Sequence, residues 1–292
     1  MTVGSPRTEA AMLWRFLAVE LADIWTRLLE GAMGSREARA DSRLVWGVED
    51  ELRERTMAFL EQLHPGVPVN EEGVSAWPPT GDCCVLDLVD GTNSLLLGAP
   101  FFGLQFALVR AGTAGEAIEE AVLFLPAEER LGGGGLYRAR RGAGAFYTLR
   151  GETDIRLRVS EQRELATSTI AFDGTTPNVC KLYHPALVSS VTRIRNFGAF
   201  CWAGTRLARG RHLPVSCDAV VAIGNRPWDH LPSILLVEEA GGTVTGHYGP
   251  YTLADCTELV LSNGHLHPAV LRRLHEILPP PDGAAPSRGE HR

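Results

Sequence analysis

Asp87 and Asp90 stand three residues apart at the end of an apolar run that begins with Cys83, and Gly91, Thr92, Asn93 and Ser94 follow at once. Val85 and Leu86 have the character of a buried strand. Gly91 permits a sharp turn and a close approach of backbone N–H groups to a bound molecule, and the three polar residues after it are natural helix caps. Carboxylates at a strand end beside a helix N-terminus can hold a hard cation and an anion side by side. The same stretch also suits an Asx-type turn with solvated carboxylates, so the choice rests on what else the chain supplies. It supplies more acid. Glu71 and Glu72 precede the strand, Glu49 and Asp50 lie further upstream, and Asp229 stands in Pro227-Trp228-Asp229, ahead of an apolar stretch that ends in Glu238-Glu239-Ala240-Gly241-Gly242. Singly, each has a plain structural reading: a solvated loop pair, favourable charges in a first helical turn, a helix cap. Together, Glu71, Asp87, Asp90 and Asp229 offer four negative charges and only oxygen donors, a set that selects magnesium, or manganese, over zinc.

The 292 residues are 45% hydrophobic and 22% charged, enough for a full core in one large domain or two small ones. The net charge of −7 comes with no basic stripe, which argues against nucleic acid and anionic membrane as partners. An acidic protein that binds phosphate needs cations to bring the two together. The six cysteines form no C-x-x-C, and the adjacent pair Cys83-Cys84 reads as core, so a reducing, cytoplasmic setting is expected. Glu9, Arg15, Glu20 and Asp23 interrupt the apolar residues near the start, so neither a signal peptide nor a membrane span is expected there.

Several elements must position these acids. Met12, Phe16, Val19, Ile24 and Leu28 predict an amphipathic helix over residues 8–29, ended near Gly31 and Gly34. Leu52, Met57, Phe59 and Leu60 predict a second over 49–63. Strands are expected over 101–109, 117–124 and 155–159, with hairpin turns at Gly132 to Gly135 and at Gly142 to Gly144. Neither glycine cluster is a phosphate loop, since no Lys-Ser/Thr follows the first and no third glycine completes the second. From Thr169 on, a helix over 179–193 broken near Pro185, a helix over 202–209 and a strand over 218–223 precede a helix opened by Asp229, with Pro232 in its tolerant first turn. His265 and His267 read as part of a turn before the last helix, and residues 279–292 as a disordered tail.

The stretch Asp87-Leu88-Val89-Asp90-Gly91-Thr92 resembles D-P-[IL]-D-G-T, the metal-binding signature of the inositol monophosphatase family of magnesium-dependent, lithium-sensitive phosphatases, with Leu88 in place of proline. Residues 227–242 resemble its second signature, W-D-x-A-A-x-x-x-x-x-x-E-A-G-G. Residues 40–50 are similar to D-L-V-T-x-x-D, with Trp46 where the family has threonine. Asn70-Glu71-Glu72 stands for G-E-E, and Ala139 to Ala145 for the structural hairpin A-x-x-G-x-G-A. The likeness runs from about residue 40 to 275.

It implies an α/β fold, a layered αβαβα sandwich with mixed or antiparallel sheets between helix layers. Residues 1–278 would form one phosphatase unit, with halves of about 1–160 and 161–278. It further implies two or three magnesium ions, one on Glu71, Asp87 and the Val89 carbonyl and one on Asp87, Asp90 and Asp229. Gly91 and Thr92 would cradle phosphate. Thr92, with Glu49 or Asp50, would orient the attacking water. The partners implied are a small phosphate ester and a second copy of the chain in a homodimer. The substrate class stays open among a phosphorylated cyclitol, sugar or nucleoside. A nucleotide 3′-phosphatase, a sugar bisphosphatase and a non-catalytic binding protein are the alternatives. In members that hydrolyse inositol phosphate, a glutamate seven residues before the W-D aspartate holds ring hydroxyls. Here that position is Ala222, and Phe200 is expected in the pocket wall.

Overall fold

Seven strands form the larger sheet, in the order β1 (Val69–Glu71), β2 (Cys83–Asp90), β3 (Gly103–Gly112), β4 (Gly115–Leu125), β5 (Gly135–Arg140), β6 (Gly144–Leu149) and β7 (Thr153–Arg156). All neighbours are antiparallel except β1 and β2. The computed structural model describes residues 6–33, 42–72, 77, 81–112, 115–128, 134–174, 178–210 and 216–279. The second sheet takes β8 (Thr169–Gly174), β9 (Arg193–Arg195), β10 (Ala219–Ile223), β11 (Thr243–Gly246) and β12 (Glu258–Ser262) in the order β11-β12-β10-β8-β9. Its β8, β9 and β10 run parallel, and β12 pairs antiparallel with both of its neighbours.

Alternation along the strands sorts the apolar residues into three layers of core. Cys84, Leu86 and Leu88 of β2 face helices α1 (Pro6–Trp14), α2 (Ala22–Met33) and α3 (Ser42–Leu63), where Phe16 stacks on Phe59 at 4.0 Å. Cys83 and Val85 face the opposite way, into a core shared with α6 (Phe200–Ala208), α7 (Pro227–Glu239) and the inner face of the second sheet. Ile170, Phe172, Val221 and Val260 close the outer face of that sheet against α8 (His267–Ile277). Helices, sheet, helices, sheet and helix are thus the five layers expected. Because helices cover both faces of β2, all eight of its residues are buried.

Some boundaries differ from the sequence reading. Helix α3 begins at Ser42, seven residues before Glu49, because a helix once nucleated extends over proline-free sequence at little cost. Glu49 and Asp50 therefore lie in its interior and not in its first turn. The first helical segment runs past Gly31 to Met33, with a π-helical stretch at Arg15–Glu20. In place of a helix over 179–193 the chain makes a 3₁₀ turn (Val179–Tyr183), the short α5 (Pro185–Val188) and β9, with Pro185 as the first helical residue and not a break. Two elements match the reading closely. The Gly142 to Gly144 turn joins β5 to β6 as a hairpin, and His267 opens α8, its ring Nδ1 2.9 Å from the Ser262 hydroxyl. Gly132, Gly133 and residues 280–292 lie outside the described residues, as does the side chain of Trp46. All six cysteines are free. Among the described residues no helix is long and apolar enough to cross a membrane.

Helices α6 and α7, sandwiched between the sheets, pack closely at Gly204, where an added Cβ would clash with Ser233 Oγ and fall 2.5 Å from its Cβ. Gly204→Val should therefore wedge the two helices apart. Overpacking of this kind costs about 1–3 kcal/mol, a loss of several degrees in Tm at ~2–4 °C per kcal/mol for a large domain. Thermal unfolding of the variant checks this, and an unchanged Tm would mean the helices part freely.

Candidate active site

A register shift in the β2–β3 pairing lies between Asp87, opposite Gln105, and Asp90, opposite Gly103. In a regular strand residues three apart point to opposite faces. The irregularity changes that parity, so both carboxylates line one cavity of about 800 Å³. Val89, Gly91 and Thr92 line it too, and Asp229 enters from the first turn of α7. Gly91 has a φ of +90°, and a Cβ there would meet the Phe101 carbonyl oxygen at 2.5 Å and the Ala199 Cβ at 2.6 Å. Only glycine turns the chain here without strain. The short helix α4 (Thr92–Leu96) follows, and the Thr92 hydroxyl donates to the Val89 carbonyl at 2.8 Å.

Backbone donors hold each aspartate. Val89 N–H donates to Asp87 Oδ1 at 3.0 Å. Phe200 N–H and Cys201 N–H donate to the two oxygens of Asp90 at 3.2 and 2.5 Å, so Asp90 caps α6 from a distant strand. Arg226 N–H donates to Asp229 Oδ2 at 2.7 Å across its own helix start. Even so, burial comes first among the causes that lift all three carboxyls, and neighbouring acids add to it: Asp90 and Asp229 for Asp87, Asp90 for Asp229, and Glu72 for Asp90. Asp90 reaches about 6, and Asp87 and Asp229 rise well above the ordinary carboxylate range. No Lys, Arg or His stands among the described residues of the cavity wall to relieve them. As these side chains stand, no three His, Cys, Asp or Glu among the described residues close into a ready coordination shell. The set nevertheless fits hard divalent cations in kind: buried oxygen donors in excess of any neutralising charge.

The model for the inositol monophosphatase family matches residues 38–278. The chain belongs to the inositol monophosphatase family. It is 28% identical over 263 residues to a histidinol-phosphatase of Mycobacterium tuberculosis, covering 87% of this chain and 94% of that one. Among solved structures it resembles the extragenic suppressor protein SuhB of Bartonella henselae, with a TM-score of 0.71 and 24% identity over 91% of this chain and 98% of that one. It also resembles an IMPase/NADP phosphatase complexed with Mg²⁺ and phosphate, with a TM-score of 0.63 and 20% identity over 82% and 83% of the two chains. The fold is therefore the family's α/β sandwich, and the family is metal-dependent.

Other residues singled out by sequence fall elsewhere. Glu71 pairs with Leu86 in the parallel β1–β2 register and so shares its face, away from Asp87. Its carboxylate receives Arg53 Nε at 2.6 Å, while Glu72, one residue on, lines the cavity. Asp50 is exposed and takes the other end of Arg53 at 2.5 Å. Glu49 is half-buried, and its carboxyl is raised by burial and by the nearby charges of Glu72, Asp50 and Glu71. Phe200 does not stand in the pocket wall. As the first residue of α6 it turns inward and packs on His230, ring centroids 4.3 Å apart. Phe101 and Phe197 supply the aromatic wall instead, edge to face at 5.5 Å. Ala222 is fully buried in the inter-sheet core, its methyl too short to reach the cavity.

Sequence reasoning passed over Asp173 and Asn225, which both line the cavity. Asn225 Nδ2 donates to Asp173 Oδ1 at 2.7 Å. The available signal was a second Asp-Gly at the end of an apolar strand, Asp173-Gly174, in parallel with Asp90-Gly91.

The raised carboxyls make a pH prediction. A carboxyl whose pKa is raised on folding stabilises the metal-free protein least above that pKa, where its charge goes unrelieved. A cation bound there removes that penalty. The rise in Tm brought by magnesium should therefore grow from about pH 5 to pH 8. His230, His247 and His267, held near 4 by burial, lose stability in the other direction as pH falls below their ordinary 6.5. They do so with or without metal, so the difference between paired melts isolates the acids. A magnesium effect that is flat or shrinks with pH would remove these carboxylates from the metal site.

Proposed function

We propose that the protein is a metal-dependent phosphomonoesterase acting on a small phosphorylated cyclitol, sugar or nucleoside. The observation that carries this reading is the change of parity in β2, which turns Asp87 and Asp90 together into the cavity that Asp229, Gly91 and Thr92 share. Bound at this cluster, magnesium or manganese supplies charge neutralisation, polarisation of the phosphate and an acidified water. Asp87, Asp90, Asp229 and the Val89 carbonyl are the donors for it, with Glu72 joining from the wall. For Glu71 to join it must release Arg53.

The remaining steps belong to the chain. Backbone N–H groups at Gly91 and Thr92 receive phosphate oxygens in the first turn of α4. The Thr92 hydroxyl, already aligned on the Val89 carbonyl, orients the attacking water. Glu49 serves better than Asp50 as the acid that helps it, since Glu49 is half-buried with its carboxyl raised, chiefly by burial, while Asp50 is exposed and held by Arg53. Phe101 and Phe197 bound the space for the leaving group. Water attacks phosphorus directly, and no covalent intermediate on the protein is required.

Phosphate release from a monoester should stop with EDTA and return with magnesium. Asp87→Asn keeps an acceptor for the Val89 N–H but removes a ligand charge, and should lower kcat about a hundredfold or more. Full turnover in EDTA or in this variant would sink the metal assignment. Across myo-inositol 1-phosphate, a sugar phosphate, fructose 1,6-bisphosphate and adenosine 3′,5′-bisphosphate, the first should not give the highest kcat/KM. Ala222 offers no acceptor to a ring hydroxyl, and an unmade buried hydrogen bond costs about 1–3 kcal/mol, or roughly tenfold to hundredfold. A lead for myo-inositol 1-phosphate would overturn the reading of Ala222.

A further inference from the structure

The acid missing from β10 returns one strand over. In the parallel register β8 and β10 set Asp173 opposite Ala222 on the same face of the sheet. Ala171, Val220 and Ala222 of that face are inter-sheet core, and Asp173, at the strand end, reaches the cavity. The residue is only 6% exposed. Asn225 fixes Oδ1, and Oδ2 is buried with no hydrogen-bond partner. Native proteins seldom leave a buried carboxylate oxygen unmatched without a reason.

The surroundings say what would match it. The cavity wall carries Glu72, Asp87, Asp90, Asp173 and Asp229 and, among the described residues, no cationic side chain. Two divalent cations among Asp87, Asp90, Asp229 and Glu72 would balance those four acids and leave Asp173 as the one wall carboxylate without a counter-charge. Burial, and next the charge of Asp90, push its carboxyl up to about 7 against the lowering pull of Asn225 and the Gly174 N–H, so a partner that brings positive charge would hold it as the anion. A phosphate ester cannot supply that from its phosphate end. Its leaving group can.

We propose that Asp173, held by Asn225, is a specificity-determining residue that receives a protonated amine on the leaving group of the phosphate ester. The proposal rests on the phosphatase reading above and narrows it to amine-bearing substrates. Asp173 forms no bond to the reacting phosphorus and exchanges no proton with it. It positions the alcohol part of the ester by an ion pair, and Phe101 and Phe197 accommodate the carbon stem.

The test compares matched esters that differ only in amine against hydroxyl: 2-aminoethyl phosphate with 2-hydroxyethyl phosphate, and glucosamine 6-phosphate with glucose 6-phosphate. With magnesium present, the wild-type protein should favour the amine at least tenfold in kcat/KM in one pair or both. Asp173→Asn keeps the shape and the Asn225 contact but loses the charge, and should cut that preference tenfold or more, chiefly through KM. Asn225→Ala leaves the charge unanchored and should cut it less. The preference is a ratio measured within one enzyme, so a lower folded fraction does not change it. A wild-type ratio at or below one in both pairs, with the hydroxyl esters turned over, overturns the amine assignment and leaves the phosphatase reading standing. A preference that survives both substitutions moves the amine site elsewhere and overturns it as well. Failure to hydrolyse any of the four, while an ester of the earlier panel is turned over with magnesium, overturns the amine assignment alone, and turnover of no ester in either panel sinks both readings together.

Discussion

The burial of Asp87, Asp90 and Asp173 beside further acids is the constraint that the rest of this structure answers to. Asp87, Asp90 and Asp229 share one cavity wall with Glu72 and Asp173, and no cationic side chain of the described wall opposes them. In a medium of low dielectric such a set is costly, and the chain offsets it with oriented backbone. The irregular end of β2 gives Asp87 an N–H, the start of α6 gives Asp90 two, and the start of α7 gives Asp229 one. These donors explain otherwise odd features. Helix α6 has Ala199 at its cap position, with no side-chain cap of its own, because Asp90 reaches it from another sheet. Gly91 must be glycine because the Phe101 carbonyl and Ala199 close in on it as that reach is made. A carboxylate that caps a helix and, on the proposed function, would also serve a metal would stand between two jobs, so that function at this position would draw directly on fold stability.

Contrast this with another buried charge in the protein. Glu128 is also buried, but Arg206 and Arg209 at the end of α6 and the Tyr137 hydroxyl all meet it, and its carboxyl is lowered despite its burial. One end of α6 is thus tied down by an acid held between two arginines, the other by an acid with no cation against it. The first is what a protein builds to hold itself together. The second is poised for something that comes from outside.

The five-layer arrangement was legible only through the resemblance to the family, while helical spacing in residues 8–29 and 49–63 and the apolar strand runs gave the separate elements and their buried sides. Asp87, Asp90, Gly91, Thr92 and Asp229 were legible because the spacing of a short motif survives folding. What could not be read was direction. Glu71 and Glu72 are chemically equal neighbours, and only the register of β1 against β2 sends one toward Arg53 and the other into the cavity. Phe200 lies beside Ala199 of the wall, yet the first turn of α6 rotates its ring onto His230. Asp173 gained its place from a strand pairing between residues far apart in the chain, Asp173 with Ala222, which no local pattern announces.

Helix α7 carries Asp229 in its first turn and Glu239 as its last residue, and Glu239 accepts the N–H groups of Gly142 and Gly144 in the β5–β6 hairpin, each at 2.8 Å. Its thirteen residues span about 20 Å. The helix therefore acts as a ruler between the cavity and the far hairpin, fixed at both marks. Each residue added or removed between them would turn one mark by about 100° relative to the other, so that either the acid leaves the cavity or the hairpin loses its anchor. The length of this segment is for that reason as much a part of the site as the residues at its ends.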